Sequence, residues 1–164
     1  MSAVVIGLGN DFRRDDGIGP AVAAAVRDLG LPDVVVHIGA RDTGELLDAW
    51  ADAEVAVIVD AAAGPGARPG RLRRWTPDHT DRAMTLSSHA VEPFSAYALG
   101  VALGRVPRRV VVLSVDVVDV GHGVGLSPAL AAALPAAVAA VVAEIEWRGP
   151  TPRDQGPKTP QPSV

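Results

Sequence analysis

Ala3-Val4-Val5-Ile6-Gly7-Leu8-Gly9-Asn10-Asp11-Phe12-Arg13-Arg14-Asp15-Asp16-Gly17 stands near the start of the chain. Its apolar, β-branched opening reads as a strand and its glycines as a tight turn. Beyond it Ile18, Val22, Val26 and Leu29 recur at helical spacing. Pro20 falls in the first turn of that helix, where a missing N–H is no loss, and Gly30 and Pro32 end it. Strand, turn, acid and helix in this order present a chemical group at the carboxyl end of a strand in an open α/β sheet. The stretch thus sets the fold class and poses a question: what does Asp16 bind?

The same alternation continues. Val34-Val35-Val36-His37-Ile38 reads as a second strand, and Asp42 or Thr43 could cap a short helix through Leu46, Leu47 and Trp50. Val55-Ala56-Val57-Ile58-Val59 is a buried strand ending on Asp60. Ala61 to Gly70 is a loop, and Arg71-Leu72-Arg73-Arg74-Trp75 a short edge strand. Pro77 to Ala83 is polar and irregular. Ser87-Ser88-His89 leads into a helix carrying Phe94, Tyr97, Ala98 and Val101 on one face. Val110 to Val115 is another buried strand, and Asp116 to Gly125 a loop. Ser127 caps a long helix with Pro128 at its first position and a buried stripe of Leu130, Leu134, Val138, Val141, Val142 and Ile145. The pattern predicts an α/β three-layer sandwich: a twisted, mainly parallel sheet with helices on both faces. It gives one domain over residues 1–148 and a disordered, Pro-rich tail over 149–164.

Composition narrows the function. Fifteen Lys and Arg against 19 Asp and Glu give a net charge of −4, with no general attraction to nucleic acid or anionic membrane. The chain has no cysteine, which excludes disulfides, thiolate metal sites and a Cys nucleophile. No stretch reads as long and clean enough to span a bilayer and no basic leader precedes the first strand, so the expected compartment is the cytoplasm.

Three side chains stand out by position: Asp16 after the first strand, Asp60 at the end of the third, and His89 before a helix. Right-handed crossovers bring such points to one edge of a doubly wound sheet. If the first and third strands are neighbours, a crevice opens there. Two carboxylates and an imidazole meeting in it would make a divalent-metal site with positions left for water or substrate. Each residue also has a plainer reading: Asp16 as a helix N-cap, Asp60 as the strand's return to solvent, His89 as a loop residue bonded to backbone. Other groups carry less. Ser87, Ser88, His89 and Asp60 suggest a serine triad, but no G-x-S-x-G elbow is present. His122 could reach the same edge from its glycine-rich loop, while His37 and His79 look structural or exposed. Gly7-x-Gly9 lacks the third glycine of a dinucleotide fingerprint, so no nucleotide cofactor is expected. The loop from Gly64 to Gly70 resembles a phosphate cradle, although its prolines remove N–H donors and favour a plain turn. Arg68, Arg71, Arg73 and Arg74 could recognise an acidic partner or simply solvate an edge strand.

Gly7-Leu8-Gly9-Asn10, Asp15-Asp16-Gly17-Ile18-Gly19, Val59-Asp60-Ala61, Pro69-Gly70, Ser87-Ser88-His89 and Gly125-Leu126-Ser127-Pro128, in this order, resemble the hydrogenase maturation proteases. The resemblance runs from Val4 to about Glu146. It implies an endopeptidase that removes a short C-terminal peptide from the large-subunit precursor of a nickel–iron hydrogenase once nickel is inserted. The family's metal-contacting residues match Asp16, Asp60 and His89, with the nickel supplied by the precursor rather than held by the protease. The expected partner is that precursor, met by a monomer without nucleic acid or membrane. One departure stands out: many members carry an acid at the start of the loop after the second strand, where this chain reads Gly39-Ala40-Arg41-Asp42, with the acid displaced to Asp42. If that acid helps to fix substrate specificity or catalysis, an unusual precursor, or a slow or inactive enzyme, would follow. Two alternatives accompany this reading. One is a non-cleaving protein that senses the nickel-loaded precursor. The other is a peptidyl-tRNA hydrolase, which shares the Gly-Leu-Gly-Asn opening but follows it with Asn and His instead of Arg13-Arg14-Asp15-Asp16.

Overall fold

The computed structural model describes residues 2–40, 42–79 and 91–147. Five strands form one sheet: β1 (Ala3–Leu8), β2 (Val34–Ala40), β3 (Val55–Ala62), β4 (Leu72–Trp75) and β5 (Arg109–Asp116). Their order is β2-β1-β3-β5-β4, with all pairings parallel except the edge strand β4, which runs antiparallel to β5. Among the described residues three α-helices lie between strands, α1 (Ile18–Asp28), α2 (Thr43–Ala49) and α3 (Val91–Leu103), and a fourth, α4 (Pro128–Glu146), follows β5. The expected α/β architecture is the one observed.

Strand alternation divides the core in two. Val5, Val57, Val59, Val111 and Leu113 face one side, where Ile18, Val22 and Val26 of α1 and Leu130, Ala137 and Val141 of α4 pack on them. Val4, Ile6, Ala56, Ile58 and Val112 face the other, under Leu46, Leu47 and Trp50 from α2 and its end and Ala96 from α3. Each fully buried Val or Ile contributes about 1.5–3 kcal/mol over an exposed one. Central strands buried on both faces read as continuous apolar runs, which is why β3 and β5 are plain in the sequence.

Four details differ from the expectation. β3 does not end at Asp60 but continues to Ala62, so this carboxylate stands inside a paired strand opposite Ser114 of β5. Leu29 lies beyond the last turn of α1 and is exposed. Of the face expected on α3, Tyr97 packs half-buried against the core, but Phe94, Ala98 and Val101 are exposed, while Pro93, Ala96 and Gly100 are buried. A helix apolar on nearly every side gives spacing no face to select. At Gly100 the packing is close: a Cβ there would meet the Arg105 carbonyl at 3.0 Å. Finally, α4 has 19 residues with a mean hydropathy of 1.9 in its most apolar window, long and apolar enough to cross a membrane by those two criteria. In this fold Leu130, Ala137 and Val141 lie in the core, and Glu144 pairs with Arg74 and Arg109 of the sheet. The tail from 149, Ser87, Ser88 and His89 lie outside the described residues.

Candidate active site

β1 and β3 are parallel neighbours, with Gly7 opposite Val59, and their following segments diverge: β1 leads through α1 to β2 on one side, β3 towards β4 and β5 on the other. That is the topological switch point at which open α/β sheets hold ligands. Close packing there depends on absent side chains. A Cβ on Gly19 would meet the Leu8 carbonyl oxygen at 2.1 Å and that of Val59 at 2.6 Å, so only glycine lets α1 start directly over both strands.

Asp16 sits in a 3₁₀ turn, Arg14–Gly17, that precedes α1. It is not the helix cap; Gly17 holds that position without a side-chain bond. Instead Asp16 Oδ2 accepts the Asn10 backbone N–H at 2.9 Å. Gly9, at φ +125°, makes the approach possible, since a Cβ there would lie 2.0 Å from the Asp16 carbonyl oxygen. The glycine turn therefore cradles a carboxylate of its own chain. Asp60 is buried, and its Oδ1 accepts the N–H of Ala61 at 2.8 Å. Burial pushes its carboxyl up to about 7; the Ala61 bond opposes this and the nearby Asp16 charge adds to it. The two carboxylates predicted to converge are thus close enough to feel each other. His89 is outside the described residues, two positions before α3 begins. Among the described residues no three His, Cys, Asp or Glu side chains are grouped to hold a metal ion.

Several groups turn out to serve the scaffold. Asp116, absent from the sequence-derived candidates, is fully buried and accepts Arg71 Nε at 2.8 Å, Arg73 Nη2 at 2.6 Å and the Arg68 N–H at 3.0 Å. Arg74 bonds Glu144 of α4. Arg71, Arg73 and the Gly64–Gly70 loop therefore do bind an anion, but one supplied by β5, while Arg74 serves α4. A carboxylate closing a buried strand was the available signal, and it was masked by reading Asp116 as the start of a loop. Asp42 accepts the Glu45 N–H at 2.9 Å and caps α2. Beside it, a depression of about 330 Å³ lies between the end of β2 and α2, lined in part by His37, Ala40, Glu45 and Asp48; Asp16 and Asp60 take no part in it. His122 is exposed, and its carbonyl accepts Arg14 Nε.

Fold and site together define a doubly wound α/β protein with an acidic pair at its switch point. The family model for HycI, hydrogenase maturation protease, matches residues 32–144, and the chain belongs to this family of maturation endopeptidases. The matched stretch contains Asp60; Asp16 precedes it. Among solved structures, the hydrogenase maturating endopeptidase HybD from E. coli is 21% identical, covering 87% of this chain and 91% of that one, with a TM-score of 0.72. The [NiFe] hydrogenase maturation protease HybD from Thermococcus kodakarensis is 22% identical, covering 87% and 97%, with a TM-score of 0.70. HycI from Thermococcus kodakarensis KOD1 is 23% identical, covering 88% and 91%, with a TM-score of 0.68. No curated protein matches the chain by sequence. The family match sets aside the peptidyl-tRNA hydrolase alternative.

Proposed function

We propose that this chain removes the C-terminal extension of a nickel–iron hydrogenase large-subunit precursor in the cytoplasm, after nickel has entered the precursor. Asp16, Asp60 and His89 contact that nickel, which belongs to the substrate and acts as the recognition element. Docking through it seats the scissile peptide in the crevice between β1 and β3. The observation that carries this reading is the carboxylate pair at the switch point, with Asp60 held near neutrality by burial and by Asp16. An isolated cation entering beside two carboxylates relieves their repulsion, so the pair favours a docked metal ion over a neutral ligand.

Peptide hydrolysis needs an activated water and a polarised carbonyl. The precursor's nickel can polarise the carbonyl. A carboxylate whose proton affinity lies near the working pH is suited to take a proton from water in one step and return it to the leaving amine in the next. Asp60 has that affinity while no cation is beside it, and contact with the nickel lowers it, so the base is a carboxylate oxygen that the docked nickel leaves free. With no cysteine in the chain, the attack is assigned to water and no acyl-enzyme forms on a thiol.

The test is to incubate a nickel-loaded precursor with the wild-type protein and with Asp16→Ala, Asp60→Ala and His89→Ala. Loss of the shortened product in the variants supports the assignment; unchanged cleavage by all three ends it. Binding of the precursor by the wild type without any shortened product would favour the non-cleaving sensor instead.

A further inference from the structure

Asp15 and Asp16 are adjacent, yet they face different partners. Asp15 is buried, and its two oxygens accept both donors of one residue far away in sequence: Ser127 N–H at 2.7 Å and Ser127 Oγ at 3.0 Å. Ser127 is the N-cap of α4, but its hydroxyl makes no bond to its own helix. Its hydroxyl donates instead to Asp15, which places a carboxylate at the positive end of a 19-residue helix.

The rest of the turn is tied to the same segment. Asp15 N–H donates to the Asp119 carbonyl, Arg14 N–H to the Gly123 carbonyl and Gly123 N–H to the Phe12 carbonyl, each at 2.9–3.0 Å. Arg14 Nη1 reaches Asp119 Oδ2 at 3.2 Å, and Arg13 Nε reaches the Val120 carbonyl at 3.3 Å. These bonds hold Arg14 at φ 47°, a left-handed conformation that a residue with a Cβ adopts only when its surroundings impose it. An imposed conformation one residue before a buried anchor and two before a candidate catalytic group points to orientation as its purpose.

We propose that Asp15 is the positioning residue of this site: its latch on Ser127 fixes the Arg14–Gly17 turn and thereby aims Asp16 at the crevice. The consequence for cleavage rests on the function proposed above, but the geometric consequence does not. The Asn10 N–H is bonded to Asp16, so its hydrogen-exchange protection reports directly where Asp16 points.

The experiment compares wild type, Asp15→Ala, Asp15→Asn and Ser127→Ala by amide exchange and by cleavage of nickel-loaded precursor. Asp15→Ala is expected to lower Asn10 protection about tenfold, the loss of one hydrogen bond, while amides of β3 and β5 keep theirs. Asparagine can still accept the Ser127 N–H and donate to its Oγ, so Asp15→Asn restores Asn10 protection. Ser127→Ala, which removes only the hydroxyl, gives a smaller effect of the same sign and serves if Asp15→Ala does not fold. In cleavage, Asp15→Ala lowers kcat on the order of 10²-fold with KM little changed, the size expected for a misplacement of about 1 Å. Unchanged Asn10 protection in Asp15→Ala and Ser127→Ala overturns the proposal, as does a loss shared equally by the core amides or one not recovered by Asp15→Asn. Absence of cleavage by wild type, with the exchange pattern as expected, would instead remove the proposed function and leave the latch standing.

Discussion

Asp60 and Asp116 stand on adjacent parallel strands, both buried, and their environments push their protons in opposite directions. For Asp116 burial alone would raise the carboxyl, but the Arg68 N–H and the guanidinium groups of Arg73 and Arg71 more than reverse this and hold it below the usual range. For Asp60 burial is opposed only by the Ala61 N–H, and the Asp16 charge reinforces it, so the value rises to about 7. A buried carboxylate supplied with cations completes a fold. One left with a like-charged neighbour destabilises it at neutral pH, and persists where chemistry or a cation from outside requires it.

The sharpest way to break this contrast is to neutralise each carboxylate in turn. Asp60→Asn should reduce cleavage of the precursor by roughly 10²-fold or more, the size expected when a contact that seats the scissile bond is lost. The same substitution should make the protein more stable. A folded-state value raised from 3.8 to about 7 favours the native state only while Asp60 is protonated. That contribution is complete below about 3.8 and is lost as pH rises through 7, so the ionised group opposes folding by about 4 kcal/mol at pH 8 and above. Chemical denaturation of wild type and Asp60→Asn at pH 5 and pH 8 should show a gain that is larger at pH 8. A variant less stable than wild type at pH 8 would remove the distinction between the two aspartates.

Asp116→Asn should do the opposite, lowering stability by about 3 kcal/mol because it strands Arg71 and Arg73 beside a neutral group. Its lowered carboxyl contributes above the ordinary carboxylate range and fails only as pH falls through the lowered value. The loss in Asp116→Asn should therefore be nearly constant between pH 5 and pH 8, as urea titrations at several pH values would reveal. Asp16→Asn refines the comparison from the other side. It removes the smaller of the two influences raising Asp60, so the Asp60 carboxyl resonance should titrate at a lower pH than in wild type yet still above the ordinary value. An unmoved midpoint would mean that the two carboxylates do not sense each other.

The difference between the two aspartates also marks how far the sequence could be read. β1, α1, β3, β5 and α4 were legible because each carries a sustained period or an unbroken apolar run. Connection handedness brings the ends of β1 and β3 to one edge of the sheet, but that the two strands are neighbours is only a condition in the sequence and is supplied by the fold. What stayed illegible depends on long-range pairing. No local signal ties Asp15 to Ser127 across 112 positions, or Asp116 to Arg71 and Arg73. A serine followed by proline at a helix start reads as a cap, and local pattern cannot show that its hydroxyl is used elsewhere.

Asp42 supplies the fourth and smallest test. The resemblance leads to the expectation of an acid at the start of the loop after β2, and its displacement to Asp42 invites a functional reading. In the fold its Oδ1 holds the Glu45 N–H, one of the orphan donors of the first turn of α2, and its backbone is extended as a cap requires. Removing such a cap costs about 1 kcal/mol, and serine or asparagine replaces it nearly as well as aspartate. Asp42→Ala should therefore lower stability by about that amount, Asp42→Ser should recover it, and both should cleave precursor at the wild-type rate below their unfolding range. If Asp42→Ser keeps its stability but loses cleavage, the carboxylate acts on substrate as well as on the helix. The depression of about 330 Å³ beside it, with Glu45 and Asp48 in its lining, would then be the place to look for that contact.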